Sequence, residues 1–203
     1  MRDDLNLKLL QDRTHVDSNR EESPVFVQIE ISPDENTKIK QVDHHWCLSI
    51  DCSASMDGDK MEQAKTAAIN LVRALPSDDL VSIVTFESIA EEILAPKPAF
   101  ERQYIESIIN AIDIGRATDM YEGISLAFSK PIARVQQRSP DVINTMLLIT
   151  DGDPTTEKTD VSDFVQLAKE VRDGGVSLDA VGIGDEYGQD EEHVQLLRQV
   201  AEC

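Results

Sequence analysis

The sequence predicts a doubly wound α/β fold: a mostly parallel sheet flanked by helices on both faces, preceded by a short N-terminal β element. Three observations carry this expectation. Short apolar runs, such as Trp46–Ile50, Leu80–Phe86 and Thr145–Thr150, alternate with longer segments whose apolar residues recur at helical spacing. Strands that are apolar throughout are covered on both faces, as in a parallel sheet built from strand–helix–strand crossovers. Two of the runs stop at an aspartate, Asp51 and Asp151, and in open sheets of this kind sites form beyond the carboxyl ends of the strands.

The elements follow in order. Leu5–Leu9 and, more clearly, Val25–Ile31 alternate apolar and polar residues, the period of half-buried strands. The polar run Asp12–Ser23 separates them, and Ser32-Pro33-Asp34-Glu35-Asn36 reads as a turn or linker. Residues 1–40 thus form a β segment, and two strands alone are marginal, so this segment needs further support. The main domain, residues 43–203, opens on Trp46–Ile50. Met61, Ala64, Ala68, Leu71, Val72 and Leu75 then mark one helix face, stopped by Pro76. Leu80–Phe86 is a strand, and Ala90–Leu94 a short edge strand before Pro96 and Pro98. Tyr104, Ile105, Ile108, Ile109 and Ile112 form a second helical stripe. A third helix runs from about Met120 to Gln137, kinked or split at Pro131. Thr145–Thr150 is a strand. Phe164, Leu167, Ala168 and Val171 line a helix closed by Gly174-Gly175, Val176–Ile183 is a strand, and Glu191–Ala201 is a helix.

Composition narrows the function. Nineteen Lys plus Arg against 39 Asp plus Glu leave a net charge of −20, which repels phosphate backbones, and no basic stripe offsets it. Aromatics at 4% leave few stacking platforms for single-stranded nucleic acid. No segment reaches the apolar length of a membrane helix, and the first residues have no apolar signal region, so the expectation is a cytoplasmic protein without nucleic-acid or membrane partners. Cys47, Cys52 and Cys203 form no Cys-x-x-Cys pair, and His44 and His45 lack the second ligand pair that a zinc site needs.

Asp51-Cys52-Ser53-Ala54-Ser55 sets three oxygen-bearing side chains at a spacing of two where a strand ends. In an extended loop that spacing points all three to one side, with Cys52 and Ala54 toward the packed side. One carboxylate and two hydroxyls are hard ligands suited to Mg²⁺ or Mn²⁺, and Asp151, from a second strand end, can add charge. Each residue also has a plainer reading. Loop serines bond backbone amides, strand-end aspartates cap helices, and Thr118, in a loop entering a helix, reads by itself as an N-cap.

Taken together, Asp51–Met56, Thr118–Gly123 and Leu148–Gly152 resemble the von Willebrand factor type A (VWA) domain in its bacterial form. That family's metal-ion-dependent adhesion site (MIDAS) reads Asp-x-Ser-x-Ser, a distant Thr and a distant Asp. Val81–Phe86 and Val181-Gly182-Ile183-Gly184 look like the family's strands, in the expected order. The resemblance implies a Rossmann-like sheet with Mg²⁺, Mn²⁺ or Ca²⁺ at its top. Ser53, Ser55 and, in one state, Thr118 would bind the ion directly, with Asp51 and Asp151 direct or through water. A partner protein's Asp or Glu would complete the shell. It also implies that the leading strands belong to a β-sandwich completed by sequence after the domain, and that the domain stops at Cys203 before its last strand.

This chain departs from the family pattern at Arg116 and Ala117, where glycines often precede the metal-binding Thr, and Arg116 is expected to orient an incoming carboxylate. The acidic stretch Asp185–Glu192 lacks the calcium-loop pattern and reads as a solvated loop and helix start. Two alternatives stay open: a scaffold of this fold that binds partners without metal, and a Mg²⁺-dependent phosphoryl-transfer enzyme. The second is disfavoured because Ser53 stands where such enzymes need a second Asp. The chain also has no Gly-x-x-x-x-Gly-Lys loop and no Gly-x-Ser-x-Gly elbow, and its His residues lie outside the strand-end motifs.

Overall fold

In the computed structural model, which describes residues 5–11, 27–33, 43–152, 154–155, 160–184 and 191–202, the apolar runs pair as one sheet. The chain divides into two units, Met1–Gln41 and Val42–Cys203. In the first, β1 (Leu5–Gln11) and β2 (Val27–Pro33) pair antiparallel, Leu5 opposite Pro33 and Gln11 opposite Val27. Ser32 and Pro33 therefore extend the strand instead of forming a turn, because a proline is tolerated at a strand's end, where no ladder bond needs its missing N–H. Asp12–Ser23, Val25, Phe26 and residues 34–36 lie outside the described residues.

The second unit contains a five-stranded sheet ordered β5-β4-β3-β6-β7. Here β3 is His44–Asp51, β4 Leu80–Phe86, β5 Ala90–Pro98, β6 Ile143–Thr150 and β7 Val176–Gly182. β3, β4, β6 and β7 are parallel, and β5 runs antiparallel to β4. β5 continues through Pro96 and Pro98, past the expected end at Leu94. It lies at the sheet edge, where one side of the strand needs no donors.

Side-chain alternation on the sheet sends Leu48, Ile50, Ile83 and Ile149 to one core, against α1 (Asp59–Ala74) and α2 (Arg102–Asn110). Cys47, Val84, Phe86, Met146 and Leu148 face the other core, against α3 (Met120–Ala127), α5 (Val161–Asp173) and α6 (Glu191–Glu202). Both faces are covered, as apolar strands require. Tyr104 departs from the predicted stripe: it is 49% exposed, and its ring carries the Lys97 ammonium 5.6 Å from its centre. Pro131 splits the third helix through a π-helical turn, Phe128–Ile132, before α4 (Ala133–Arg138) resumes. The wider turn accommodates the proline ring and its missing N–H.

The winding reverses between β3 and β6. From β3 the chain steps to β4 on one side; it later inserts β6 on the other and moves outward to β7. α1 and α5 leave the ends of β3 and β6 on opposite faces, opening a crevice beyond the strand ends. Asp51 and Asp151 stand at that point. Among the described residues no helix is long and apolar enough to cross a membrane.

Candidate metal centre

Asp51, the last residue of β3, is fully buried and held at both oxygens. Its Oδ1 accepts the Ser53 N–H at 2.9 Å, and its Oδ2 accepts the Thr150 hydroxyl at 2.5 Å. The Thr150 hydroxyl in turn accepts the Gly152 N–H at 3.0 Å. Gly152 has φ 86°, so the chain turns back just after Asp151 in a conformation that favours glycine. Burial pushes the Asp51 carboxyl up to about 6. The bonds from Thr150 and Ser53 oppose that rise, and the neighbouring Asp151 charge adds to it. Among the described residues neither aspartate caps a helix: the N-caps that follow are Ser53, Gly58 and Asp160.

The two serines meet, but not by extended alternation. Ala54–Met56 forms a tight 3₁₀ turn in which Met56 N–H donates to the Ser53 carbonyl at 3.1 Å, bringing the Ser53 and Ser55 hydroxyls to 3.0 Å. Cys52 packs inward as expected, whereas Ala54 is exposed. The turn hands the inward position to Met56, which is fully buried.

The loop bearing Thr118 is fastened to this turn by backbone bonds. Gly115 N–H donates to the Cys52 carbonyl at 2.6 Å, and Ala54 N–H donates to the Arg116 carbonyl at 3.2 Å. Arg116 N–H reaches Glu87 Oε2 at 3.1 Å, and Asp119 N–H reaches the Glu87 carbonyl at 2.6 Å. A Cβ on Gly115 would collide with the Glu87 side chain, which explains a glycine there. Thr118 is 2% exposed, and its backbone exchanges two bonds with Thr155: Thr118 N–H to Thr155 Oγ1 at 2.9 Å and Thr155 N–H to the Thr118 carbonyl at 3.1 Å. The N-cap of α3 is Asp119, whose side chain accepts the Glu122 N–H at 3.0 Å. The cap role open to Thr118 thus belongs to its neighbour.

Asp151 has an unequal pair of oxygens. Oδ2 accepts the Lys60 ammonium at 3.0 Å, while Oδ1 is buried with no hydrogen-bond partner among the described residues. A buried carboxylate oxygen without a donor is costly unless a cation or water meets it. Among the described residues no group of three or more His, Cys, Asp or Glu is placed to hold a metal, so an ion at this rim would rely on hydroxyls as much as carboxylates. The donor set of two carboxylates and three hydroxyls fits a hard divalent cation.

Three contributors were not read from sequence: Thr150, which orients Asp51; Thr155, which fixes the Thr118 backbone; and Lys60. Lys60 left a signal, because a cation in the first turn of a helix opposes the helix dipole and calls for an acidic partner. His45 lies at the opposite end of β3, its Nδ1 2.8 Å from Asn144 Oδ1 and its Nε2 2.9 Å from Ser82 Oγ. Most of the acidic stretch, Asp185–Asp190, is outside the described residues.

A sequence profile of the von Willebrand factor type A domain matches residues 47–203. The chain belongs to that family. An uncharacterized protein of Synechocystis sp. is 27% identical over 190 residues, covering 94% of this chain and 43% of its own length. Inter-alpha-trypsin inhibitor heavy chain H1 of Bos taurus is 27% identical over 143 residues, covering 67% of this chain and 15% of its own. The chain therefore spans less than half of either relative. Among solved structures, proximal thread matrix protein 1 from the mussel byssus, with a zinc-occupied MIDAS motif, superposes with a TM-score of 0.62 at 18% identity, covering 79% of this chain and 41% of that one. The manganese-loaded Plasmodium vivax TRAP protein gives 0.61 at 18% identity, covering 81% and 63%. At such identities the likeness is one of fold.

Proposed function

We propose that this VWA domain is a divalent-metal-dependent protein-interaction module without catalytic activity of its own. Ser53, Ser55 and Thr118 would offer hydroxyl oxygens to Mg²⁺ or Mn²⁺, with Asp51 and Asp151 supplying charge directly or through water. When bound, the ion would offer an open position to an Asp or Glu carboxylate of a protein partner. The observation that carries the reading is the buried Oδ1 of Asp151, which has no hydrogen-bond partner among the described residues, at the same sheet rim as the turn that brings the Ser53 and Ser55 hydroxyls together. A shell rich in neutral hydroxyls leaves the ion with residual positive charge, so it still attracts an anion. The zinc and manganese carried by the two solved relatives support a divalent ion in this fold. The exposed Arg116, beside the Thr118 loop, would help orient the incoming carboxylate. The setting we propose is reducing and cytoplasmic, where the buried thiols of Cys47 and Cys52 would stay free.

Calorimetric titration with Mg²⁺ and Mn²⁺ tests the first half. The expected result is one saturable site, weakened more than about tenfold in Ser53→Ala and Asp151→Asn, as for loss of a hydrogen-bonded or ligating group. Unchanged binding in both variants would overturn it. Partner capture from native lysate, run in Mg²⁺ and in EDTA, tests the second half. A partner retained equally in EDTA and by Asp51→Ala would overturn the metal bridge.

A further inference from the structure

Lys60 is the second residue of α1, where the positive end of the helix dipole disfavours a cation. Its side chain turns away to the crevice, and its Nζ stands 3.0 Å from Asp151 Oδ2. The Asp151 side chain is 6% exposed and that of Lys60 34%, so the contact is sheltered on the acidic side. The lysine stem passes over Gly184, where an added Cβ would lie 3.3 Å from Lys60 Cε and where φ is +130°. A side chain at that position would be strained and would crowd the stem, so the glycine keeps its path open.

The consequence falls on the ligand count. Lys60 occupies one oxygen of Asp151 and leaves the other. Asp51 already has a donor on each oxygen, the Ser53 N–H and the Thr150 hydroxyl. Ser53, Ser55 and Thr118 offer one oxygen apiece. No carboxylate of this set has both oxygens at liberty. Ca²⁺ takes six to eight oxygens and often both oxygens of one carboxylate, whereas Mg²⁺ is content with single oxygens and retained waters.

We propose that Lys60 is a specificity-determining residue of the metal centre: by holding Oδ2 of Asp151 it denies a two-oxygen ligand and favours Mg²⁺ over Ca²⁺. This rests on the metal-centre reading above and deepens it. The same ammonium balances the Asp151 charge when no ion is bound, so its loss weakens the metal-free protein more than the loaded one.

The test titrates wild type and Lys60→Met with Mg²⁺ and, separately, Ca²⁺ by calorimetry, and records thermal midpoints in EDTA and in saturating Mg²⁺. Lys60→Met is expected to tighten Ca²⁺ more than Mg²⁺, shrinking the Mg²⁺-to-Ca²⁺ affinity ratio on the order of tenfold, since ligand charge and rigidity tune such sites over decades. Its midpoint is expected to fall in EDTA and to recover in Mg²⁺. Lys60→Ala replaces it if the methionine variant does not fold. An unchanged affinity ratio with Mg²⁺ binding intact would overturn the role of Lys60 and leave the metal centre standing. A wild type that binds neither ion would overturn the centre and this inference with it.

Discussion

At the scale of single residues, the domain treats its buried polar groups in two ways. Asp51 is oriented by two donors, yet burial outweighs them and pushes its carboxyl up to about 6, with the neighbouring Asp151 charge adding to the rise. His45, at the other end of the same strand, is fully buried between Asn144 and Ser82. Burial holds its pKa below the ordinary imidazole value, with the Asn144 bond opposing that shift. Below about pH 6.5 the unfolded imidazole binds a proton that the folded one refuses, so stability is lost as pH falls through that window. Thermal melts of wild type from pH 7.5 to 5.5 should therefore show a steeper decline than those of His45→Gln. Parallel declines would mean that the buried imidazole does not set the slope.

At the scale of elements, one close approach places the Thr118 loop. α3 begins directly after it, and Gly123 in α3 lies against Phe86, the fully buried last residue of β4. A methyl on Gly123 would come to 3.0 Å from Phe86 Cβ and nearer still to the ring, so helix and strand approach each other only because this position lacks a side chain. Gly123→Ala gains helix propensity but overpacks the core. We expect a net loss of about 1–3 kcal/mol in urea unfolding, together with weaker Mg²⁺ binding because Thr118 shifts with the helix. A variant as stable as wild type would show that Phe86 can yield.

At the scale of the whole molecule, a net charge of −20 makes the chain repel itself and welcome divalent cations. An ion that binds only the folded state adds about 2.7 kcal/mol at a hundredfold excess over Kd. For a domain of this size, that corresponds to a rise in Tm of roughly 5–11 °C. Melting in Mg²⁺ should show that rise, EDTA should reverse it, and Ser53→Ala should lose about half of it or more. A rise of equal size in Ser53→Ala would indicate ions screening the acidic surface, not filling the crevice.

The sequence by itself determined the sheet, because apolar runs such as Leu80–Phe86 and Thr145–Thr150 are stable only between two covering layers. It also determined that Asp51 and Asp151 share a rim, since both end parallel strands. Lengths and endings were less legible: β2 and β5 run through prolines that edge and terminal positions tolerate, and Pro131 yields a π turn. Only the tertiary structure decided how the site is assembled. The Ser53–Ser55 approach depends on a turn anchored by Met56, and the Asp51 orientation on Thr150, 99 residues away. The pairing of Lys60 with Asp151 joins the first turn of one helix to the end of a distant strand, 91 residues apart. Local periodicity reports which face a residue buries; it carries no record of which distant group will meet it there. The five oxygen-bearing residues were therefore visible one by one, while the lysine that divides the oxygens of Asp151 became visible only in the fold.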